Sequence, residues 1–68
     1  MKAQKVMELL KQVGELMVQV DGQVFELHLH NTTYEPELDA IKIDGATETY
    51  WIFGENIQFA WIHKKAKD

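Results

Sequence analysis

The spacing of apolar residues at the start of the chain predicts an amphipathic helix over Ala3–Val13. Its apolar positions recur at intervals of three and four, the repeat of one helical face: Ala3, Val6, Met7, Leu10 and Val13. Gly14 ends the helix, because glycine adopts without strain the left-handed conformation that follows a helix C-terminus. No Ser, Thr, Asp or Asn caps the first turn, and Lys2 and Lys5 oppose the helix dipole, so we expect fraying there.

After Gly14 the apolar repeat shortens to two, which predicts a β-hairpin. Every second position is apolar in residues 16–20 and again in residues 24–30, and Asp21-Gly22 lies between the two segments. The first segment has Leu16, Val18 and Val20 at these positions, and the second has Phe25, Leu27 and Leu29. Asp-Gly favours a two-residue type I′ turn because both positions accept positive φ. This turn places Val18 opposite Phe25 and Leu16 opposite Leu27, so both strands put their apolar side chains on one face.

The remaining sequence predicts a loop and three further strands. The loop covers residues 31–37 and contains Pro36, the only proline of the chain. The strands cover residues 38–43, 47–53 and 57–63, with turns at Asp44-Gly45 and Gly54-Glu55. The expected fold is therefore α+β: one domain over residues 1–63, with an N-terminal helix followed by a five-stranded antiparallel meander that forms a curled sheet or a small SH3-like barrel. Residues 64–68 are expected to be a disordered basic tail.

The last predicted hairpin has two faces of different character. A two-residue loop at Gly54-Glu55 sets three pairs opposite each other on a face expected to be core: Ile52 with Ile57, Tyr50 with Phe59, and Glu48 with Trp61. The other face carries Trp51 and Phe53 among small and amide side chains, namely Thr49, Asn56, Gln58 and Ala60. Either the helix or a curl of the sheet covers these two aromatics, or they form a binding surface for a partner or a second copy.

Composition excludes several kinds of chemistry. The 68 residues include no cysteine and no serine, which excludes disulfides, thiolate metal sites and serine or cysteine nucleophiles. The four glycines are dispersed at turns, so there is no glycine-rich phosphate loop. No apolar run approaches the roughly 20 residues of a membrane span, and no signal peptide is recognisable. We expect a cytoplasmic protein that is not an enzyme and needs no cofactor.

Charge is distributed unevenly along the chain. Residues 15–55 contain nine acidic residues and one base, Lys42, for a net charge of −8, whereas the two ends carry six lysines and two acids. The acidic middle suits a basic partner or serves solubility. There is no arginine, the residue best suited to read base edges and grip phosphates, which disfavours sequence-specific nucleic-acid recognition.

Two groups of titratable residues are candidate chemical sites. His28 and His30 lie two residues apart on one strand face with Glu26, a spacing that allows metal binding, with His63 as a further ligand. Exposed histidines on a polar strand face are common, so no metal is expected. Three further acids lie in or beside the loop and are expected to be solvated rather than catalytic: Glu35, Glu37 and Asp39.

The segment Ile52-Phe53-Gly54-Glu55-Asn56-Ile57, followed by Gln58-Phe59, resembles the second conserved motif of the Sm-like proteins. That motif runs Ile, a basic residue, Gly, any residue, Asn, then Ile or Val, and here Phe53 takes the place of the basic residue. The resemblance implies a helix followed by an SH3-like barrel, ring assembly through pairing of the fourth and fifth strands, and RNA binding. Gly54 and Asn56 match the motif; the phosphate contacts would come from lysines at both ends, including Lys2, Lys5 and Lys11.

These observations predict a non-enzymatic interaction module. It would bind a protein partner, or a second copy, through the last hairpin, with a patch formed by Trp51, Phe53, Asn56 and Gln58. An Sm-like RNA-binding oligomer is the first alternative. A second alternative is an acidic nucleic-acid mimic that inhibits a basic protein.

Overall fold

The computed structural model describes residues 1–64 and contains a helix and two three-stranded antiparallel sheets, which confirms the α+β class. Except for Lys64, the predicted tail at residues 64–68 lies outside the described residues. The first sheet has the strand order β2-β1-β6 and the second sheet β3-β4-β5. The elements are α1 (Ala3–Val13), β1 (Glu15–Val20), β2 (Gln23–His28), β3 (Thr32–Glu35), β4 (Ala40–Asp44), β5 (Thr49–Phe53) and β6 (Ile57–Trp61).

Helix α1 has the predicted bounds and the predicted termination. Gly14 adopts φ 84° and its N–H donates to the carbonyl of Leu10 at 2.7 Å. No side chain caps the first turn, as the sequence indicates. The apolar face is buried from Ala3 to Leu10, whereas Val13 in the last turn remains exposed. The helix covers the core by contacting β1, β3 and β4.

The β1–β2 hairpin also forms as predicted. Val18 pairs with Phe25 and Leu16 with Leu27. Asp21 and Gly22 have φ values of 48° and 81°, the two positive angles that a type I′ turn requires. Leu16, Val18 and Leu27 are fully or almost fully buried, so the shared apolar face of the hairpin is part of the core.

The prediction of a loop over residues 31–37 is wrong, because Thr32–Glu35 forms β3 and pairs with β4. The β-branched and aromatic side chains of this segment favour a strand. Thr32 is buried, and its hydroxyl donates to Asn31 Oδ1 at 2.9 Å, which satisfies its polar atom. Turns then occupy the chain up to Asp39, so β4 begins at Ala40 rather than at residue 38.

Two other strand ends differ from the prediction by two residues. β5 begins at Thr49 instead of residue 47, because a loop closed by the hydrogen bond from Gly45 N–H to Glu48 O at 2.9 Å precedes it. β6 ends at Trp61 instead of residue 63.

The predicted five-stranded meander is wrong, because residues 1–64 form six strands and neither the second hairpin nor the last strand follows that order: β2 and β3 belong to different sheets. β6 does not pair with β5 but crosses to the other sheet and pairs with β1. Gly54–Asn56 forms a 3-10 turn that redirects the chain, and Gly54 N–H donates to Asp39 O at 2.8 Å. The predicted pairings of Ile52 with Ile57, Tyr50 with Phe59 and Glu48 with Trp61 therefore do not form.

A β-bulge in β6 decides which of its side chains face the core. Val20 pairs with Ile57, and its neighbour Gln19 pairs with Phe59. Gln58 therefore has no partner on β1 and is an extra residue in β6. Ile57 is buried, whereas Phe59 lies on the outer face of the first sheet and is 49% exposed. The prediction that Phe59 belongs to the core is wrong for this reason.

The core lies between the two sheets and under the helix. It consists of aliphatic side chains from α1 and from five of the six strands: Ala3, Val6, Met7, Leu10, Leu16, Val18, Leu27, Ile41, Ile43, Ile52 and Ile57. No helical segment in the described part of the chain has the length and apolar character that crossing a bilayer requires.

Candidate interaction surface

Trp51 and Phe53 of β5 remain exposed, with 44% and 42% of their surfaces accessible. Side chains alternate along this strand, so Ile52 is buried in the core while its two neighbours point outward. The helix packs mainly against β1, β3, β4 and the 3-10 turn, and both aromatics stay exposed. Of the two alternatives drawn from the sequence, burial of this pair by the helix or by a curl of the sheet is therefore wrong.

The two side chains border a groove between β5 and the β1–β2 turn, with a volume of about 290 Å³. We call this the aromatic groove. It is lined by Val20, Asp21, Gln23, Phe25, Tyr50, Trp51, Ile52, Phe53 and Asn56. The rings of Phe25 and Tyr50 pack against the core with their centroids 5.7 Å apart, so they join the two sheets beneath the groove. The groove thus has a firm apolar base and exposed aromatic edges.

Charge at the groove is sparse and of both signs. Asp21 in the β1–β2 turn is the one charged residue in its lining. Lys42, which pairs with Trp51 across β4 and β5, places its Nζ atom 5.8 Å from the centre of the Trp51 ring, within cation–π distance. Aromatic side chains with a polar group nearby are suited to hold an extended chain by apolar contact and hydrogen bonding together.

The structure brings together three of the four residues predicted for the patch. Asn56, in the 3-10 turn, lines the aromatic groove with Trp51 and Phe53. Gln58 is exposed but lies at the bulge of β6 and does not line the groove. The reason is that β6 leaves the second sheet, so the side chains of the two strands no longer share a face.

Sequence reasoning missed the contribution of the first hairpin to this groove. Phe25 and Asp21 belong to an element that was predicted correctly, but nothing in the local pattern shows that its turn lies beside β5. Tyr50, predicted for the core, packs against it but is only half-buried and also lines the groove.

Gly54 is a point of close approach between the 3-10 turn and the start of the chain. A Cβ atom at this position would lie 2.6 Å from Ala3 N and 2.7 Å from Met1 O. The amino group of Met1 donates to the carbonyls of Gly54 at 3.2 Å and Ile57 at 3.4 Å. The glycine is buried, so its role here is to let two backbone segments pack together.

Of the residues singled out for RNA binding, Gly54 is buried, whereas the three lysines and Asn56 are exposed and spread over the surface. Lys2 adjoins the 3-10 turn, whereas Lys11 lies roughly 14 Å further along the helix at 1.5 Å per residue. Lys5 forms an exposed ion pair with Glu8 at 3.5 Å. Asn56 is exposed in the aromatic groove.

The candidate metal ligands lie on the outer face of the first sheet. His28 Nε2 is 2.7 Å from Glu26 Oε1, and His28 Nδ1 is 3.5 Å from Glu15 Oε2. The ring of His30 lies beside that of His28, with 5.5 Å between centroids, whereas His63 follows β6 and is exposed. Glu15 was not among the predicted ligands. The predicted hairpin register identifies it, because Leu16 opposite Leu27 sets Glu15 opposite His28.

The three acids at and after β3 do not form a shared site. Glu35 belongs to β3 and Glu37 is exposed in the following turn. Asp39 instead accepts a hydrogen bond from the Tyr34 hydroxyl at 3.4 Å. Burial raises the pKa of Tyr34, and the charge of Asp39 and this hydrogen bond raise it further.

Comparison with known proteins gives no match, whether to family models, to curated proteins or to solved structures. Function is therefore inferred from the surface geometry described above.

Proposed function

We propose that this protein is a non-enzymatic interaction module that binds a protein partner through the aromatic groove. The observation that carries the proposal is the exposure of Trp51 and Phe53 beside a groove whose base, Phe25 and Tyr50, is packed into the core. Large aromatic side chains on a rigid support are enriched at protein interfaces, where they supply much of the binding energy.

We infer that the two sheets form a small SH3-like barrel. Several features support this: β2 and β3 follow each other through a short turn but belong to different sheets, β6 returns to β1, and a 3-10 turn precedes β6. In such an arrangement the groove lies where the first hairpin meets β5. Its shape is then fixed by pairing within both sheets, so little ordering is needed when a partner binds.

The partner that suits this groove is an extended segment with a net positive charge. Within residues 1–64, β5 pairs only with β4, so its other edge offers backbone groups to an added strand beside Trp51 and Phe53. Asp21 in the groove and the net charge of −8 over residues 15–55 favour basic over acidic segments.

The test compares the double variant Trp51→Ala/Phe53→Ala with Phe59→Ala. Phe59 is equally exposed, at 49%, but lies on the outer face of the other sheet and outside the groove. Light scattering over a range of concentrations first measures self-association, and capture of partners from a lysate follows. We expect the double variant to lose association with an unchanged circular dichroism spectrum, while Phe59→Ala retains it. Equal loss in both variants, or loss of the fold in the double variant, contradicts the proposal.

A second candidate is the Sm-like RNA-binding oligomer. The specific observation in its favour is that β5 and β6 are both edge strands within the described residues, joined by the 3-10 turn that contains Gly54 and Asn56. Two such edges allow one copy to pair with the next and close a ring. This candidate requires a hexamer or heptamer by light scattering, and salt-sensitive binding of uridine-rich or adenine-rich oligonucleotides in a filter assay. A monomer that binds neither oligonucleotide at low salt excludes it.

A further inference from the structure

A second site is formed by the side chains of Glu15, Glu26 and His28 on the outer face of the first sheet. We call these three residues the carboxylate–imidazole cluster. Glu15 pairs directly with His28 across the hairpin, and Glu26 precedes His28 by two residues on the same strand face. One ligand atom from each residue lies within 4.8 Å of the others. The ladder of the hairpin therefore fixes the three backbones at a spacing that suits a single ion.

Within the described part of the chain, the two carboxylates of the cluster have no lysine partner, so a cation from solvent can bind them. Two carboxylates approach one imidazole, with separations of 2.7 Å for Glu26 and 3.5 Å for Glu15. Among residues 1–64 the only ion pair made by a lysine is that of Lys5 with Glu8, so no lysine neutralises either carboxylate. Since the side chains of Glu15 and Glu26 are about half exposed, an ion can reach them from solvent.

The donor set indicates which ion would bind. Imidazole nitrogen together with carboxylate oxygen suits Zn²⁺ and related transition metals, whereas Mg²⁺ and Ca²⁺ prefer oxygen ligands alone. With metal–ligand bonds of about 2.1 Å, tetrahedral geometry sets the ligand atoms about 3.4 Å apart. The contacts of 2.7 and 3.5 Å go to different ring nitrogens of His28, Nε2 and Nδ1, and one ion binds only one of these. One ligand atom from each residue lies within 4.8 Å of the others, so side-chain rotations have to shorten these separations modestly to bring the three groups onto one ion. Water completes the coordination of an open surface site.

We propose that Glu15, Glu26 and His28 bind a divalent transition-metal ion of the Zn²⁺ class. The site lies at the end of the hairpin remote from the Asp21-Gly22 turn, about 20 Å along β1 at 3.3 Å per residue. It is therefore separate from the aromatic groove, and neither proposal depends on the other.

The experiment titrates ZnCl₂ into the full chain without an affinity tag, in a buffer that does not bind metals, and follows the heat of binding. We expect saturable binding of one Zn²⁺ per chain and no comparable heat with Mg²⁺. The imidazole resonances of His28 should shift during the same titration followed by NMR. Absence of saturable binding, or binding without a shift of the His28 ring, overturns the proposal.

Three single substitutions remove one ligand each: Glu15→Gln, Glu26→Gln and His28→Gln. We expect each to weaken Zn²⁺ binding at least about tenfold, the loss typical when a group that supports a metal is removed. Glu37→Gln is the matched control, because it removes the same charge at an exposed position in a turn outside the cluster. All four variants should keep the circular dichroism spectrum of the parent protein. If Glu37→Gln weakens Zn²⁺ binding as much as the cluster variants do, Zn²⁺ responds only to overall charge. If His28→Gln leaves the affinity for Zn²⁺ unchanged, the imidazole is not a ligand. Either result refutes the site.

Discussion

Replacement of Gly54 by alanine tests the close approach between the 3-10 turn and the start of the chain. The added Cβ atom would lie 2.6 Å from Ala3 N, 2.7 Å from Met1 O and 2.9 Å from Asp39 Oδ2. Two of these three atoms belong to the backbone, so no simple side-chain rotation relieves the contacts. To reach an ordinary separation of at least 3.4 Å, the turn and the first residues of the chain must move apart.

The expected cost follows from these contacts. Overpacking a well-packed site by one carbon atom costs about 1–3 kcal/mol. The movement also strains the hydrogen bond from Gly54 N–H to Asp39 O, now 2.8 Å long, which adds about 1 kcal/mol if it is lost. We therefore expect Gly54→Ala to lower the free energy of unfolding by about 2–4 kcal/mol. A domain of this size has roughly 3–10 kcal/mol in total, so the loss is large.

The assay is urea denaturation followed by circular dichroism, with Gly14→Ala as the comparison. Gly14 has φ 84° and open space around its Cβ position, so alanine there costs only backbone strain, about 1 kcal/mol. Gly54 has no such positive φ, so the cost of alanine there comes from steric overlap and the movement it forces, and not from backbone strain. A loss for Gly54→Ala no greater than that for Gly14→Ala would refute the close approach.

Three further predictions concern the core, a titrating tyrosine and the first turn. Leu27→Ala should cost about 2–5 kcal/mol in urea denaturation because Leu27 is fully buried. The raised pKa of Tyr34 means that the folded state holds the phenolic proton more tightly, so Tm should fall as pH rises above about 10, and Tyr34→Phe should flatten that fall. Asp21→Val should cost about 1–2 kcal/mol because φ is 48° there, whereas Asp21→Asn should be nearly neutral by thermal denaturation.

The elements that the sequence predicts correctly are those specified by neighbouring residues. Helix α1 is set by its apolar repeat and by Gly14, and the first hairpin by alternation and by Asp21-Gly22. A second Asp-Gly, at Asp44-Gly45, does not give a two-residue turn, because the chain continues to Thr49 before β5 begins. The difference is that positive φ occurs at Asp21 and Gly22 but at neither residue of the second pair.

The pairing of β6 is an example of what local pattern does not determine. Ile57, Phe59 and Trp61 alternate as one face of a regular strand, yet the extra residue Gln58 separates the first from the other two. The bulge and the crossing to β1 are both decided by contacts with residues about 40 positions earlier in the chain. For the same reason alternation places Trp51 and Phe53 together on the face opposite Ile52, but it does not determine whether they are covered or that a groove lies beside them.

The exposed aromatic side chains of the two sheets differ in whether they pack against another aromatic ring of the same chain. This difference argues for the aromatic groove as the binding surface. On the first sheet, the Phe59 ring packs against Trp61 with 5.2 Å between centroids. On the second sheet, neither Trp51 nor Phe53 has such an aromatic neighbour among residues 1–64; the Trp51 ring is approached by Lys42 instead.

A chain of 68 residues leaves a large part of its apolar surface exposed in any fold, so exposure alone does not identify a binding site. Exposed rings that border a groove with a packed base are the stronger candidate for a binding site, because a partner can desolvate them without rearranging the core. If exposure were only a consequence of small size, Trp51→Ala/Phe53→Ala and Phe59→Ala would have the same effect on association. The pairing of Phe59 with Trp61 and the position of Trp51 at the groove predict that they do not.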